Sequence, residues 1–234
     1  MTAPWSKKNH KDSGDPTPGI RTDAWNLWDG GRIKSPGMKR VVLLFRGVYR
    51  ILVSLAALPL AFPFMLIAKA SHAVQGKIIE PSIVLSRIPF YFGEKVREFY
   101  YRSLLLSVGK GVTFKYGSFC QYRNTRIGNR VLIGYFTTLG EVSIGDNVLI
   151  GGNVNFLSGL QQHSFSDPKT LILDTPAPGR RMIKIGSDVW IGSDAVIGND
   201  VGDRCVVAAN SFVVRKVKSH TLVGGNPAEF LMTI

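Results

Sequence analysis

The sequence predicts an all-β solenoid, a parallel β-helix of about five coils, preceded by an apolar helical segment. Two rows of residues and one long uncharged run lead to that reading. In the first row nine glycines each follow an aliphatic residue, mostly six residues apart: Ile127-Gly128, Ile133-Gly134, Leu139-Gly140, Ile144-Gly145, Ile150-Gly151, Ile185-Gly186, Ile191-Gly192, Ile197-Gly198 and Val201-Gly202. In the second row the residue four after an aliphatic is small or β-branched: Val131, Thr137, Val148, Val154, Val189, Ala195, Cys205 and Ser211. A helix repeats every 3.6 residues or so and a half-buried strand every second residue. A six-residue period held at two positions fits neither, and matches a solenoid in which each hexad supplies one short strand and a corner. Three hexads close one triangular coil.

The pattern extends backward through Val108, Phe114 and Cys120, and forward through Val207 and Val213. Three steps break the period, Cys120 to Ile127, Leu139 to Ile144 and Ile197 to Val201, and read as adjustments at coil corners. Cys120 and Cys205 both fall on inward positions, so they read as small core residues rather than a disulfide or a nucleophile. A reducing, cytosolic setting fits them.

With 234 residues and 45% hydrophobic content the chain has ample material for one or two cores. Its net charge of +13 is uneven, because residues 1–102 carry 16 Lys+Arg against 7 Asp+Glu, and no acid stands between Asp29 and Glu80. Such a block suits nucleic acid or an anionic membrane surface. The residues within it decide: Ile51 to Ala68 is an uncharged run of 18 residues, close to the length that crosses a hydrocarbon core as a helix. Basic residues grouped around an apolar run, rather than along a polar groove, exclude nucleic acid.

Pro59 and Pro63 interrupt that run, and Arg46 and Arg50 before it are matched by Lys69 and Lys77 after it. Proline removes a helical donor, and similar charge at both ends gives no reason for the ends to lie on opposite sides. The expectation is a broken, re-entrant hairpin that is monotopic on the cytoplasmic face of the membrane, with a single pass or a helix packed on the β-helix as the other readings. Residues 1–37 are polar and rich in proline and glycine, which predicts an extended basic arm and no cleaved signal peptide.

The predicted organisation is therefore an arm over 1–37, an apolar membrane-associated segment over 38–75, a linker and amphipathic helix over 76–107, and a β-helix over 108–234. The helix reads from Phe90 to Leu106 after Pro89, with Val96, Phe99, Tyr100 and Leu104 to Leu106 on its apolar face and Lys95, Arg97 and Arg102 at the rim. Its expected role is to cap the open end of the solenoid, where unpaired edges need cover.

The repeat is interrupted once, over about 158–184, and an unpatterned stretch of that length inside a compact domain is usually functional. It holds His163, followed by Asp167. At near-neutral pH an imidazole can take a proton from a hydroxyl, which acyl transfer requires. A metal-dependent reaction would need three converging histidines, whereas the repeat region offers His163 and His220.

The stretch IKIGSDVWIGSDAVIGNDVGDRCVVAANSFVVRKVKSHTLVGGNPAEF resembles the C-terminal half of the hexapeptide-repeat acyltransferases, specifically the acetyl-CoA-dependent sugar and polysaccharide O-acetyltransferases of capsule and O-antigen type. The words that carry the resemblance are Asp188-Val189-Trp190-Ile191-Gly192 and Val223-Gly224-Gly225-Asn226-Pro227-Ala228. It covers roughly residues 95–230 and implies a left-handed β-helix. It implies that His163 is the general base; an acid or arginine usually follows that histidine at a subgroup-specific spacing, and Asp167, the candidate to orient the imidazole here, departs from that pattern in coming four residues on. Trp190 would border the acceptor and thioester site, and Ser193 would sit by the thioester. Ala209 would meet the pantetheine arm, Arg215 the nucleotide phosphates, and Asn226 and Pro227 the adenine end. The resemblance also implies a homotrimer with the site between neighbouring β-helices. One departure is a coil after Ile197 that is two residues short, with Asn199-Asp200 in place of the common proline-glycine corner.

The function these readings imply is acetyl transfer from acetyl-CoA, without a metal, to a hydroxyl of a membrane-linked glycan or polysaccharide precursor. The protein's partners would be acyl-CoA, the sugar or lipid-linked glycan acceptor, an anionic membrane surface and two further copies of itself. N-acetylation of a nucleotide-linked amino sugar or an amino acid is the nearest alternative, and a non-enzymatic membrane-bound scaffold is a third.

Overall fold

The structure is a computed structural model that describes residues 36–160, 169–175 and 179–234. Two compact units divide it, one ending at Val48 and the other running from Tyr49 to Ile234. In the first, the described residues are helical and belong to α1 (Pro36–Gln75), with Leu43, Leu44 and Phe45 exposed. The predicted arm lies almost wholly outside the described residues.

The second unit is a parallel solenoid of three faces, with five full turns and the beginning of a sixth. Face A consists of β1 (Ser107–Val108), β4 (Arg126–Ile127), β7 (Val142–Ile144) and β10 (Ile183–Ile185), continued by bridges at Val201 and Val217. Face B consists of β2 (Thr113–Phe114), β5 (Leu132–Ile133), β8 (Leu149–Ile150), β11 (Trp190–Ile191), β13 (Val206–Val207) and β15 (Thr221–Gly224). Face C consists of β3 (Phe119–Cys120), β6 (Thr138–Leu139), β9 (Asn155–Phe156), β12 (Val196–Ile197) and β14 (Phe212–Val213). Each inter-turn pairing is parallel and in register, so Ile133, Ile150, Ile191 and Val207 form one buried column. The second row of the sequence pattern, Val131 to Ser211, is buried throughout.

The repeated glycine has a steric cause. A Cβ on Gly134 would overlap the backbone of Gly151 in the next turn, and one on Gly192 would overlap that of Ala209. Turns stacked at strand spacing leave no room for a side chain at this corner position. The residue that completes many corners is left-handed: Asn147, Asp188 and Arg204 between faces A and B, and Asn153, Asp194 and Asn210 between B and C. The A–B edge is also joined by side chains. Asn129, Asp146, Ser187, Asp203 and Ser219 each accept a hydrogen bond from a backbone N–H of the preceding turn, those of Lys110, Asn129, Asp146, Ser187 and Asp203, at 2.6–3.0 Å. All three irregular steps fall at the C–A edge, where corner length varies.

The open first turn is covered by α2 (Ile79–Ser86) and α3 (Phe90–Leu104), which pack on β3 and on β1 and β2 respectively. The capping helix is as expected at its start and two residues shorter at its end, and the α2 turn had no clear periodic signal. Arg97 departs from its expected place at the rim. It is fully buried, and its guanidinium donates to the carbonyls of Phe114, Leu85, Ser86 and Ile88, tying both helices to the first turn. Burial lowers its pKa.

A second departure is α1, which continues as one helix through Pro59 and Pro63 rather than breaking into a hairpin. The prolines are four residues apart and both exposed, so the two lost backbone bonds fall on one face and leave the rest of the ladder intact. At the other end of the solenoid, β16 (Glu229–Thr233) folds back antiparallel on β15, an addition the repeat did not signal.

Candidate active site

Four of the residues singled out by sequence lie along one edge. Ser193 and Ala209 occupy the same corner position between faces B and C in successive turns, where the Asn210 N–H donates to the Ser193 carbonyl at 2.9 Å. Gly152 precedes them in the column, its carbonyl accepting from Asp194 N–H at 2.9 Å and its N–H donating to Ser193 Oγ at 3.2 Å. The residues of this column are thus glycine, serine and alanine, and the next corner position in each turn carries a polar side chain, that of Asn153, Asp194 or Asn210. Tyr135 and Tyr116 continue the column on the N-terminal side and give it an aromatic end.

Asn226 and Pro227 sit in the turn between β15 and β16, which is fixed over face C by Phe212 N–H donating to Gly225 O and Ala228 N–H to Phe212 O. They extend the same edge at its C-terminal end. Trp190 stands beside it on face B, 54% exposed and in line with Leu149 and Val206. A corner of small residues flanked by an exposed indole can receive an extended, partly apolar chain and present backbone N–H groups to it.

Arg215 does not join this group within one chain. It follows β14 at the C–A edge, so face C separates it from Ser193 and Ala209. His163 and Asp167 lie outside the described residues, but the root of their excursion is described, and it leaves from the C–A edge. Its neck is closed by Arg181 N–H donating to Ser158 O at 2.8 Å and by Ser158 Oγ accepting from Glu141 N–H at 3.0 Å. Arg180 Nε donates to Glu141 Oε1 at 3.0 Å, and its guanidinium lies 4.4 Å from the Tyr122 ring centroid. Arg181 Nη2 donates to Asp200 Oδ2 at 2.6 Å, while Asp200 Oδ1 accepts from Lys184 N–H at 2.9 Å.

Between these groups is a cavity of about 530 Å³ bordered by Ser158, Leu160, Gly179, Arg180, Arg181 and Asn199. The short Asn199-Asp200 corner shapes this cavity and not the Ser193–Ala209 edge, because it belongs to the C–A corner. Sequence reasoning passed over Arg180, Glu141 and Tyr122. The available signal was the five-residue step from Leu139 to Ile144, which places an acid at a corner.

A family profile described as the hexapeptide repeat of succinyl-transferase matches residues 141–155 and 182–215, the turns on either side of the excursion. The galactoside O-acetyltransferase of Escherichia coli (strain K12) is 31% identical over 150 residues, a match that covers 59% of this chain and 68% of that protein. The chain belongs to the hexapeptide-repeat acetyltransferases. Hexapeptide repeats make the solenoid a left-handed β-helix. Matches to three curated relatives span 61%, 68% and 70% of those proteins' lengths. Among solved structures of this fold, a maltose O-acetyltransferase from Clostridium difficile 630 superposes with a TM-score of 0.58 at 26% identity, covering 65% of this chain and 82% of that one. A galactoside acetyltransferase in complex with coenzyme A superposes at 0.50 and 21% identity, covering 64% and 76%, which establishes the shared fold.

Proposed function

We propose that this hexapeptide-repeat acetyltransferase transfers an acetyl group from acetyl-CoA to a sugar hydroxyl of a membrane-linked glycan or polysaccharide precursor, at the cytoplasmic face of the membrane. The observation that carries the reading is the edge formed by Gly152, Ser193, Ala209 and the Asn226-Pro227 turn, where residues implied to hold the donor follow one another along the solenoid. The choice of oxygen over nitrogen as acceptor draws on the galactoside and maltose O-acetyltransferases that the chain is similar to.

In this reading Ser193 and Ala209 present backbone to the pantetheine arm, Trp190 packs against the acyl end, and Asn226 and Pro227 border the adenine end. His163 removes the proton as the acceptor oxygen attacks the thioester carbon. Backbone N–H groups at the Ser193 corner face the oxyanion, and collapse of the tetrahedral intermediate expels the CoA thiolate, which takes up the proton. General-base assistance of this kind contributes on the order of 10²–10⁴-fold, and positioning and electrostatic stabilisation supply more.

The donor edge is B–C, whereas the excursion root and Arg215 are at C–A. The reading therefore calls for a trimer, in which the C–A edge of one copy faces the B–C edge of the next and brings His163 and Arg215 to the donor. Incubating the purified full-length protein with labelled acetyl-CoA and a panel of sugars and amino sugars tests the proposal. Label that mild alkali releases from a sugar product supports an ester. An alkali-stable amide product would overturn O-acetylation, and an absence of transfer to any acceptor, with no CoA release, would overturn the enzyme reading.

A further inference from the structure

From Tyr49 onward α1 has two distinct faces. Ala57, Ala61 and Ala68 are fully buried in the core that also contains Ile78, Leu85, Val96 and Tyr100, with Phe64 and Met65 partly buried beside them. These positions recur every three or four residues, so they form one docked stripe. Ile51, Leu52, Leu55, Phe62, Leu66 and Ile67 face outward, each more than half exposed. A row of large apolar residues of this extent, left open among the described residues, marks a surface for an apolar partner.

The α1–α3 junction identifies that partner. The Tyr49 and Tyr91 rings lie 6.0 Å apart, with the Arg50 guanidinium 5.9 Å and the Lys95 ammonium 5.4 Å from the Tyr91 ring. Next to Tyr91, Phe90 is 83% exposed and has φ +61, a backbone region that a bulky residue avoids. Among the described residues nothing covers this aromatic ring or offsets its strained backbone. Tyrosines with basic residues at the end of an apolar stretch are the chemistry of the bilayer headgroup region. The nearby acids Glu94 and Glu98 are paired, with Lys115 and with Lys95 and Arg102.

We propose that α1 from Tyr49 onward lies flat in one leaflet of an anionic phospholipid bilayer, with its outward face among the acyl chains, Phe90 inserted beside it, and Tyr49, Tyr91, Arg50 and Lys95 at the headgroups. This rests on the membrane reading above and makes it specific. A crossing helix would have to give up the Ala57–Ala61–Ala68 contacts or draw the body they belong to into lipid.

Flotation of the full-length protein with phosphatidylcholine vesicles, with and without phosphatidylglycerol, tests the partner. Binding is expected to be strong only with the anionic lipid. Phe90→Asn, which suits a left-handed backbone, should keep the thermal midpoint and reduce vesicle partitioning about tenfold. Nitroxides at Leu55→Cys, Phe62→Cys and Leu66→Cys should report one common depth. Graded depths would show a crossing helix and overturn the proposal. So would a self-associated particle that does not bind either vesicle, since a second copy would then cover the apolar face. Acetyl transfer to a soluble acceptor, followed in parallel, reports on the enzyme reading separately.

Discussion

Arg181 Nη2 donates to Asp200 Oδ2 at 2.6 Å, so the last residues of the excursion are held by a corner one full turn further along the solenoid. The same carboxylate receives Lys184 N–H. The neck of the loop that carries His163 is thereby set by the short Asn199-Asp200 corner. Asp200→Ala should loosen this neck, lowering kcat/KM for the acceptor by about tenfold while acetyl-CoA KM changes little. Steady-state kinetics with each substrate varied in turn would measure the split, and an equal rise in acetyl-CoA KM would count against it.

His163→Ala should lower acyl transfer at least about 10²-fold without altering the melting temperature or acetyl-CoA binding. Turnover followed by thiol release, with calorimetry for the donor, checks both halves. Retained turnover would remove the imidazole from the mechanism.

The proposed donor edge is testable through the small residues of its Gly152–Ser193–Ala209 column. Ala209→Leu adds bulk at an exposed corner, so it should leave stability within about 0.5 kcal/mol and raise acetyl-CoA KM by about tenfold or more. Gly192→Ala is the control for the fold, because its Cβ would overlap the backbone of Ala209. That variant should lower the melting temperature, whatever it does to catalysis.

Arg97→Met removes the guanidinium that four carbonyls share; those of Leu85 and Ser86 keep the Ile88 and Gly117 N–H groups, so the loss falls on those of Phe114 and Ile88. The expected cost is about 3 kcal/mol or more, read as a lower thermal midpoint in detergent. A neutral result would mean that the helical cap tolerates unpaired carbonyls at its centre.

The solenoid was legible because a six-residue period acts on every turn: glycine where turns nearly touch, a β-branched or small residue where the interior is narrow. Ser193 and Ala209 were singled out by the resemblance, and the repeat accounts for their alignment, since equivalent corner positions of successive turns fall in one column. Arg97 was not, because a charged residue on an amphipathic helix reads as rim unless its carbonyl partners, which come from three other segments, are known. Nor was the continuity of α1, where two prolines weaken a helix locally but packing along the alanine stripe decides the outcome. The separation of Arg215 from Ser193 depends on which edge each corner belongs to, and the irregular C–A steps obscure that assignment.

The side-chain ladder of the A–B edge has a direction. Asn129 satisfies Lys110, Asp146 satisfies Asn129, and so on to Ser219 and Asp203, each acceptor lying nearer the C-terminus than its donor. A turn leaving the ribosome therefore carries an unmet N–H until its successor emerges, while the helical lid over the first turn is already complete. A chain stopped between Asp203 and Ser219 would end on an open donor rather than a finished layer.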